Sequence, residues 1–378
     1  MTSRQAASAA AAWLLAFTTI AVSASAQTPP PPRRDTVREL HSLAPLETVV
    51  GRPTADLPGP SDDPRFAAAI AYGAHTDSDA VLVWQRGRLL LAHDYPGHGP
   101  DAQTWSASME KTLIALLVGV AIDRGYIKSV DQPASTWLPE WKNDARAKIT
   151  LRDLLTMSSG LEHPTFGSPK AAPLIMGPNM SPALLALEAA QPPGSAFDYN
   201  TSDAEIMMIV LERASHQRFA DFLSGALWKP LSLADAQLSL DHLGGLPRPT
   251  IFARARDWLP IGELIYGHGA YHGRRIVSAA WIKAMTTPSP LNPNYGYFVW
   301  LGSPPGTERS YGPFVSFKAK HSAPYAASDV VYLDGYGGER VYIVPSRGLV
   351  IVRTGATRDD WDDAIIPNAV IEGLSSRA

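Results

Sequence analysis

The segment from Ser108 to Arg124 constrains this chain more than any other. It carries Leu113, Ile114, Leu116, Leu117, Val118, Val120 and Ile122, and reads as a helix that is apolar on nearly all sides. Such a helix has no face to offer water, so it belongs inside a protein. Gly125 supplies a C-terminal stop. Other elements must therefore wrap around it, and 378 residues are enough to build that core.

Those elements divide unevenly along the sequence. Asp63 caps a helix over Pro64–Tyr72, with proline in the first turn. Ala80–Gln85 and Arg88–His93 are apolar-rich, and Arg86-Gly87 turns between them as a hairpin. Thr150 to Asp153 resembles a capping box opening a short helix that Ser159-Gly160 closes. Ser181-Pro182 starts another helix, and Ser202 with Glu205 forms a second capping box before Ile206–Arg213. Further helices are predicted near Arg218–Leu227, Asp257–Tyr266, Ser278–Met285 and Trp361–Ile371. Late strands are predicted at Tyr297–Leu301, Arg340–Val344 and Leu349–Arg353. Strands at both ends and helices between them predict an α/β fold. Its mainly antiparallel sheet is built from both termini, about residues 61–100 and 290–378, with a helical region inserted over about 101–289.

Residues 1–26 read as an export signal: Arg4, an apolar run around Trp13, Leu14, Leu15 and Ile20, and a small-x-small cleavage pattern at Ala24-Ser25-Ala26. Residues 27 to about 60 read as a mostly irregular lead-in around the Pro29–Pro32 run. The expected mature protein is soluble and periplasmic or secreted, because no other segment is long and apolar enough to span a bilayer. A formal net charge of −3 offers no basic field for nucleic acid. The chain has no cysteine, which excludes disulfides and thiolate chemistry. The scattered histidines give no zinc pattern, and no glycine-rich nucleotide loop follows a strand. No cofactor is expected. The run Asp359, Asp360, Asp362 and Asp363 reads as a solvated helix start.

Ser108-Met109-Glu110-Lys111 is the segment that carries chemistry. Three-residue spacing places Ser108 and Lys111 on one helix face, in a first turn whose free N–H groups and dipole favour negative charge. A serine hydroxyl is a weak nucleophile until a base takes its proton, and a lysine becomes that base when burial lowers its pKa. The same spacing also fits a capping serine beside a solvated lysine. Tyr199, just before the Ser202 capping pattern, reads equally as a proton shuttle or a packed ring. Gly335-Tyr336-Gly337-Gly338 lets a carbonyl approach the backbone closely, and on spacing alone is first a hairpin turn.

These motifs together resemble the beta-lactamase-related serine hydrolases, which include class C beta-lactamases, DD-peptidases, esterases of that fold and 6-aminohexanoate-dimer hydrolases. The segment Trp105 to Lys111 is similar to their nucleophile segment. Ile122 to Gly125, Trp137 to Trp141, Leu151 to Leu161 and Ala255 to Asp257 resemble later stretches. The resemblance implies a beta-lactamase/transpeptidase-like fold over 61–378. It makes Ser108 the acylated nucleophile, Lys111 its base and Tyr199 the second-motif tyrosine. The Tyr336, Gly337 and Gly338 turn then serves as oxyanion and substrate-binding element, the Tyr336 amide pairing with that of Ser108.

Two departures narrow the expected activity. The second motif ends in Thr201 where many relatives have asparagine. The third has Asp334 before the small residues, where beta-lactamases and peptidases usually carry lysine or histidine. Losing that cation costs a charge-assisted contact of roughly 1.5–3 kcal/mol to a substrate carboxylate. Lys318, Lys320 and His321 are the candidates to replace it. The expectation is thus cleavage of a small-molecule ester or linear amide. The alternatives are beta-lactam or cell-wall peptide turnover, and a non-catalytic binding role on the same fold.

Overall fold

The computed structural model describes residues 44–375, apart from 55–58, 166–167, 176, 242, 303–304, 307 and 316–317. The proposed export signal and the polyproline run lie outside those residues. In chain order the elements begin with β1 (Leu46–Val49), α1 (Ala67–His75), β2 (Ser78–Gln85), β3 (Arg88–Asp94), β4 (Gln103–Trp105) and α2 (Glu110–Asp123). The middle holds α3 (Leu151–Leu155), α4 (Ala172–Ile175), α5 (Met180–Leu185), α6 (Thr201–Ser215), α7 (Phe219–Leu223), β5 (Ala236–Leu240), β6 (Pro247–Arg254), α8 (Trp258–Tyr266), β7 (Ala270–Tyr271), β8 (Arg274–Arg275) and α9 (Ala279–Met285). The chain closes with β9 (Trp300–Leu301), β10 (Glu308–Ser310), β11 (Lys318–Lys320), β12 (Val331–Asp334), β13 (Arg340–Val344), β14 (Leu349–Gly355) and α10 (Ile365–Ser375).

The main sheet is antiparallel with order β3-β2-β14-β13-β12-β9, so it joins early and late sequence as expected. The β2–β3 hairpin turns through Arg86 and Gly87, both at positive φ, which matches strand twist. Helices cover both faces. Gly73 of α1 packs against Val81 of β2. On the other face Gly262 of α8 sits where a Cβ would reach Val350 at 2.4 Å. Double coverage explains why β2 and β14 read as continuous apolar runs rather than alternating ones.

Helix α2 is the buried helix of the sequence reading, with every residue from Glu110 to Ala121 buried. Its mid-helix Gly119 lets Trp281 lie against the backbone, where a Cβ would meet the indole at 2.2 Å. The Trp281 Nε1 donates to the Ala115 carbonyl at 3.0 Å, so the contact is also hydrogen-bonded. Asp63 accepts from the Arg65 amide, and Thr150 and Asp153 form a reciprocal capping box, both as predicted. Among the described residues no helix is long and apolar enough to cross a membrane.

Five expectations change. The region 101–289 is not only helical, because β4, β5 and β6 join β1 in a second sheet of order β1-β5-β6-β4. β1 comes from the stretch read as irregular, where Leu46–Val49 pairs with β5. Helix α6 starts at Thr201 because the Asn200 side chain caps it by accepting from the Ser202 amide. Ser202 and Glu205 are therefore interior helix positions and not a capping box. The strand expected over Tyr297–Leu301 shrinks to Trp300–Leu301, since Phe298 takes a left-handed φ of 49° while its amide donates to Leu155. Finally, Asp362 and Asp363 are buried, unlike the exposed Asp359 and Asp360, because arginines and a lysine of neighbouring strands pair with them.

Candidate active site

Ser108 is delivered by a pinned turn between β4 and α2. The Ser106 amide donates to the Ile251 carbonyl of β6 at 2.9 Å, and the Ile251 amide returns a bond to the Ser106 hydroxyl at 2.9 Å. Ala107 then adopts a φ of 47°, a left-handed conformation that a residue with a Cβ holds only when its surroundings enforce it. A single 3-10 turn over Ala107–Met109 leads into α2, and its Met109 amide bonds to Ser106. The Ser108 amide precedes that first intrahelical donor, among the N–H groups a helix start leaves over.

Lys111 lies one turn on. Its Nζ donates to the Ser108 Oγ at 2.8 Å. The side chain is buried, and burial lowers its pKa from 10.5 to about 8. Glu205, Glu110 and Asp334 oppose that shift, in that order. Burial raises Glu205 to about 7, against Arg248 and Lys111, which lower it. It pushes Glu110 well above the usual carboxyl range, and neither Glu110 oxygen has a hydrogen-bond partner. Both acids are therefore protonated more readily than free ones.

Tyr199 comes from the loop entering α6. Its amide donates to the Tyr311 carbonyl at 2.8 Å. Its ring packs among Tyr295, Trp300 and Tyr311, with centroids 5.2–6.0 Å away. The Lys111 Nζ lies 5.2 Å from the Tyr199 ring centroid, and the Tyr199 side chain hydrogen-bonds Ser108. Burial, and next the negative Asp334, raise the phenol above its ordinary value, while the Ser108 bond lowers it. The structure thus brings the three residues singled out in the sequence into one cluster.

The glycine turn joins β12 to β13 and reaches the segment that leads into Ser108. A Cβ on Gly335 would meet the Ser106 carbonyl at 2.5 Å, so only glycine permits this approach. Gly337 and Gly338 take φ of 76° and 112°. The Tyr336 side chain is partly exposed, its hydroxyl 3.4 Å from Asp359. The turn is a hairpin turn, as its spacing suggests, and it also abuts the residues before Ser108.

Asp334, the acid before this turn, is buried and bonded to Arg309 and Arg340 at 2.8 and 2.7 Å. Lys320 pairs with Asp362, Lys318 is exposed, and His321 is buried against Tyr325. A cavity of about 520 Å³ lies beside Trp300 and is lined also by Phe197, Asn294, Arg309, His321 and Tyr332. Trp300 is its link to the Tyr199 ring, and Ser108 and Lys111 are not among its lining residues. Sequence reasoning missed Glu205, Arg309 and Arg340 as neighbours of the site. A carboxylate inside the apolar run of α6 was the one local signal for Glu205.

Known proteins share this fold. The Beta-lactamase family model matches residues 66–287, more than half of the chain. A 6-aminohexanoate-dimer hydrolase of Paenarthrobacter ureafaciens is 25% identical over 226 residues, 56% of this chain and 57% of that protein. The chain therefore matches less than two thirds of that relative's length. Among solved structures, a Bacillus anthracis protein described as a 6-aminohexanoate-dimer hydrolase superposes with a TM-score of 0.71 at 18% identity, covering 90% of this chain and 92% of that one. A family VIII carboxylesterase gives 0.59 at 15% identity, covering 83% and 98%. These likenesses carry the beta-lactamase/transpeptidase-like fold, and with the family match they establish that the chain belongs to the beta-lactamase family.

Proposed function

We propose that this protein is a serine hydrolase that cleaves an ester or linear amide through a Ser108 acyl-enzyme. The observation that carries the reading is the 2.8 Å bond between the buried Lys111 Nζ and the Ser108 Oγ. With a pKa near 8, Lys111 is partly unprotonated near neutral pH and takes the serine proton. Ser108 Oγ then bonds to the substrate carbonyl carbon, and the carbonyl pair becomes an oxyanion held by the Ser108 and Tyr336 amides. Collapse of this intermediate expels the alkoxide or amine, which leaves with a proton passed from Lys111 through Tyr199. Burial keeps Tyr199 in its phenol form, which suits a relay better than a free base. Water repeats the sequence on the acyl-enzyme and releases the acid.

The names of the similar proteins, a 6-aminohexanoate-dimer hydrolase and a carboxylesterase, support the amide or ester class. The beta-lactam and cell-wall peptide reading is disfavoured because position 334 holds a buried Asp334 paired with Arg309 and Arg340, and so supplies no cation for a substrate carboxylate where one is usual. Export is part of the proposal, and N-terminal sequencing of the expressed protein that begins at Gln27 would support it.

The test is hydrolysis of short-chain p-nitrophenyl esters by the parent, Ser108→Ala and Lys111→Ala. Activity confined to the parent supports the assignment. Equal rates in all three would sink it and favour a binding role. Nitrocefin turnover exceeding ester turnover would favour the beta-lactam reading.

A further inference from the structure

We propose that Arg340 is the positioning residue for the oxyanion turn, and that the buried cluster of Arg340, Asp334, Arg309 and Asp363 holds this turn in register with Tyr199. The inference rests on the serine hydrolase reading above and deepens it.

A turn with three glycines between Gly335 and Gly338 has little conformational preference of its own. An oxyanion donor on such a turn needs an external brace, since a misplacement of about 1 Å can cost roughly 100-fold in rate. Arg340 supplies it. Its Nη1 donates to the Gly335 carbonyl and, at 2.8 Å, to the Glu339 carbonyl, so one nitrogen ties both ends of the turn together. The remaining nitrogens are fixed in turn. Nη2 contacts Asp334 at 2.7 Å and Asp363 at 2.8 Å, and Nε donates to Asp363 at 2.8 Å. Only the planar fork of arginine meets these partners together.

The cluster continues to the proposed proton relay. Arg309 bonds Asp334 at 2.8 Å and also reaches Asp363, closing a ring of two cations and two anions. The Tyr311 hydroxyl donates to the other Asp334 oxygen at 2.8 Å. Tyr311 in turn accepts the Tyr199 amide and packs its ring at 5.2 Å from that of Tyr199. An unbroken path of short contacts therefore runs from the Gly335 carbonyl to Tyr199. The four charged side chains are at most 6% exposed and sum to zero charge. They add rigidity beside Ser108 without adding net charge.

A purely structural cluster would support the sheet and nothing more, so the test must separate the two roles. Arg340→Lys and Asp334→Asn are compared with the parent for p-nitrophenyl butanoate kinetics, for phenylboronic acid inhibition as a tetrahedral-anion probe, and for N-butylacetamide inhibition as a ground-state probe. The expected result for Arg340→Lys is a fall of about 100-fold in kcat and in phenylboronic acid affinity, with KM and amide inhibition within about threefold of the parent. Asp334→Asn keeps an acceptor for both arginines and should still lose about 10-fold in the same two quantities. If Arg340→Lys does not fold, Asp334→Asn carries the test alone. A folded variant with parental kcat and boronate affinity overturns the inference. So does one that loses ground-state and boronate binding equally. A parent with no Ser108-dependent activity overturns the functional reading itself, whereas an active parent with indifferent variants overturns only this one.

Discussion

The pH dependence of Lys111 gives the sharpest check on the site. Burial takes this lysine from 10.5 to about 8. At pH 7 the unprotonated fraction is then about 9%, against about 0.03% for an unshifted lysine, a gain of roughly 300-fold. A base acts only when unprotonated, so activity is gained as pH rises through the folded pKa. On this basis kcat/KM should climb about ninefold from pH 6 to 7, about fivefold from pH 7 to 8, and then level. Tyr199 is held above its ordinary value and should add no descending limb below pH 10.

The assay is the initial rate of p-nitrophenyl butanoate hydrolysis from pH 5.5 to 10, with the hydroxide blank subtracted. Glu205→Gln provides the internal control. An ionised Glu205 favours the lysine ammonium, so its removal must move the ascending limb below 8. A limb near 6.5 would point to a histidine, and none has been placed in the cluster. A limb near 10.5 would mean that Lys111 is solvated. Either position, or a Glu205→Gln limb displaced upward, would refute the assignment of Lys111 as the base.

Three further outcomes are expected. Tyr199→Phe should lower kcat by roughly 100-fold or more while leaving KM within a few-fold, since the ring stays packed and only the proton relay is lost; this is read from steady-state kinetics. Gly337→Ala should abolish most activity, because the φ of 76° and a 2.6 Å approach to the Thr357 Cα force the turn to move, and ester hydrolysis by the folded variant measures it. Gly119→Ala should destabilise the protein by about 1–2 kcal/mol, as displacing Trp281 outweighs the roughly 1 kcal/mol helix preference of alanine; urea unfolding monitored by fluorescence gives the value.

What the sequence made legible is local. The β2–β3 hairpin, the Asp63 cap, the Thr150–Asp153 capping box and the buried α2 each depend on residues a few positions apart. The Ser108 and Lys111 pair was legible for the same reason, since helix geometry alone sets its spacing. The second sheet was hidden because β6 opens Pro247-Arg248-Pro249, and proline cannot donate to a strand ladder. Its partner β1 lies nearly 190 residues upstream of β5, beyond the reach of periodicity. The Ser202 and Glu205 pattern misled because serine three residues before glutamate has the same spelling inside a helix as at its start. Asn200 decided the matter by taking the cap. The acidic run misled because its fate depends on Arg309 and Arg340, which arrive from other strands.

The same distinction governs the chemistry. Ser108 and Lys111 come within reach of one another through local geometry, yet neither residue sets its own reactivity. Burial in α2 alone would drive Lys111 below the value it shows, and the resulting neutral amine would be a weaker acceptor. Glu205 pulls the other way from α6, while burial raises the Glu110 carboxyl well above its ordinary range and two arginines pair with Asp334. The base strength of Lys111 is therefore a balance between a desolvating helix and acids whose charges are themselves restrained by the fold. Two of those acids, Glu205 and Asp334, lie more than 90 positions from the Ser-x-x-Lys motif, which explains why the motif alone does not fix the pH at which the proposed chemistry would run.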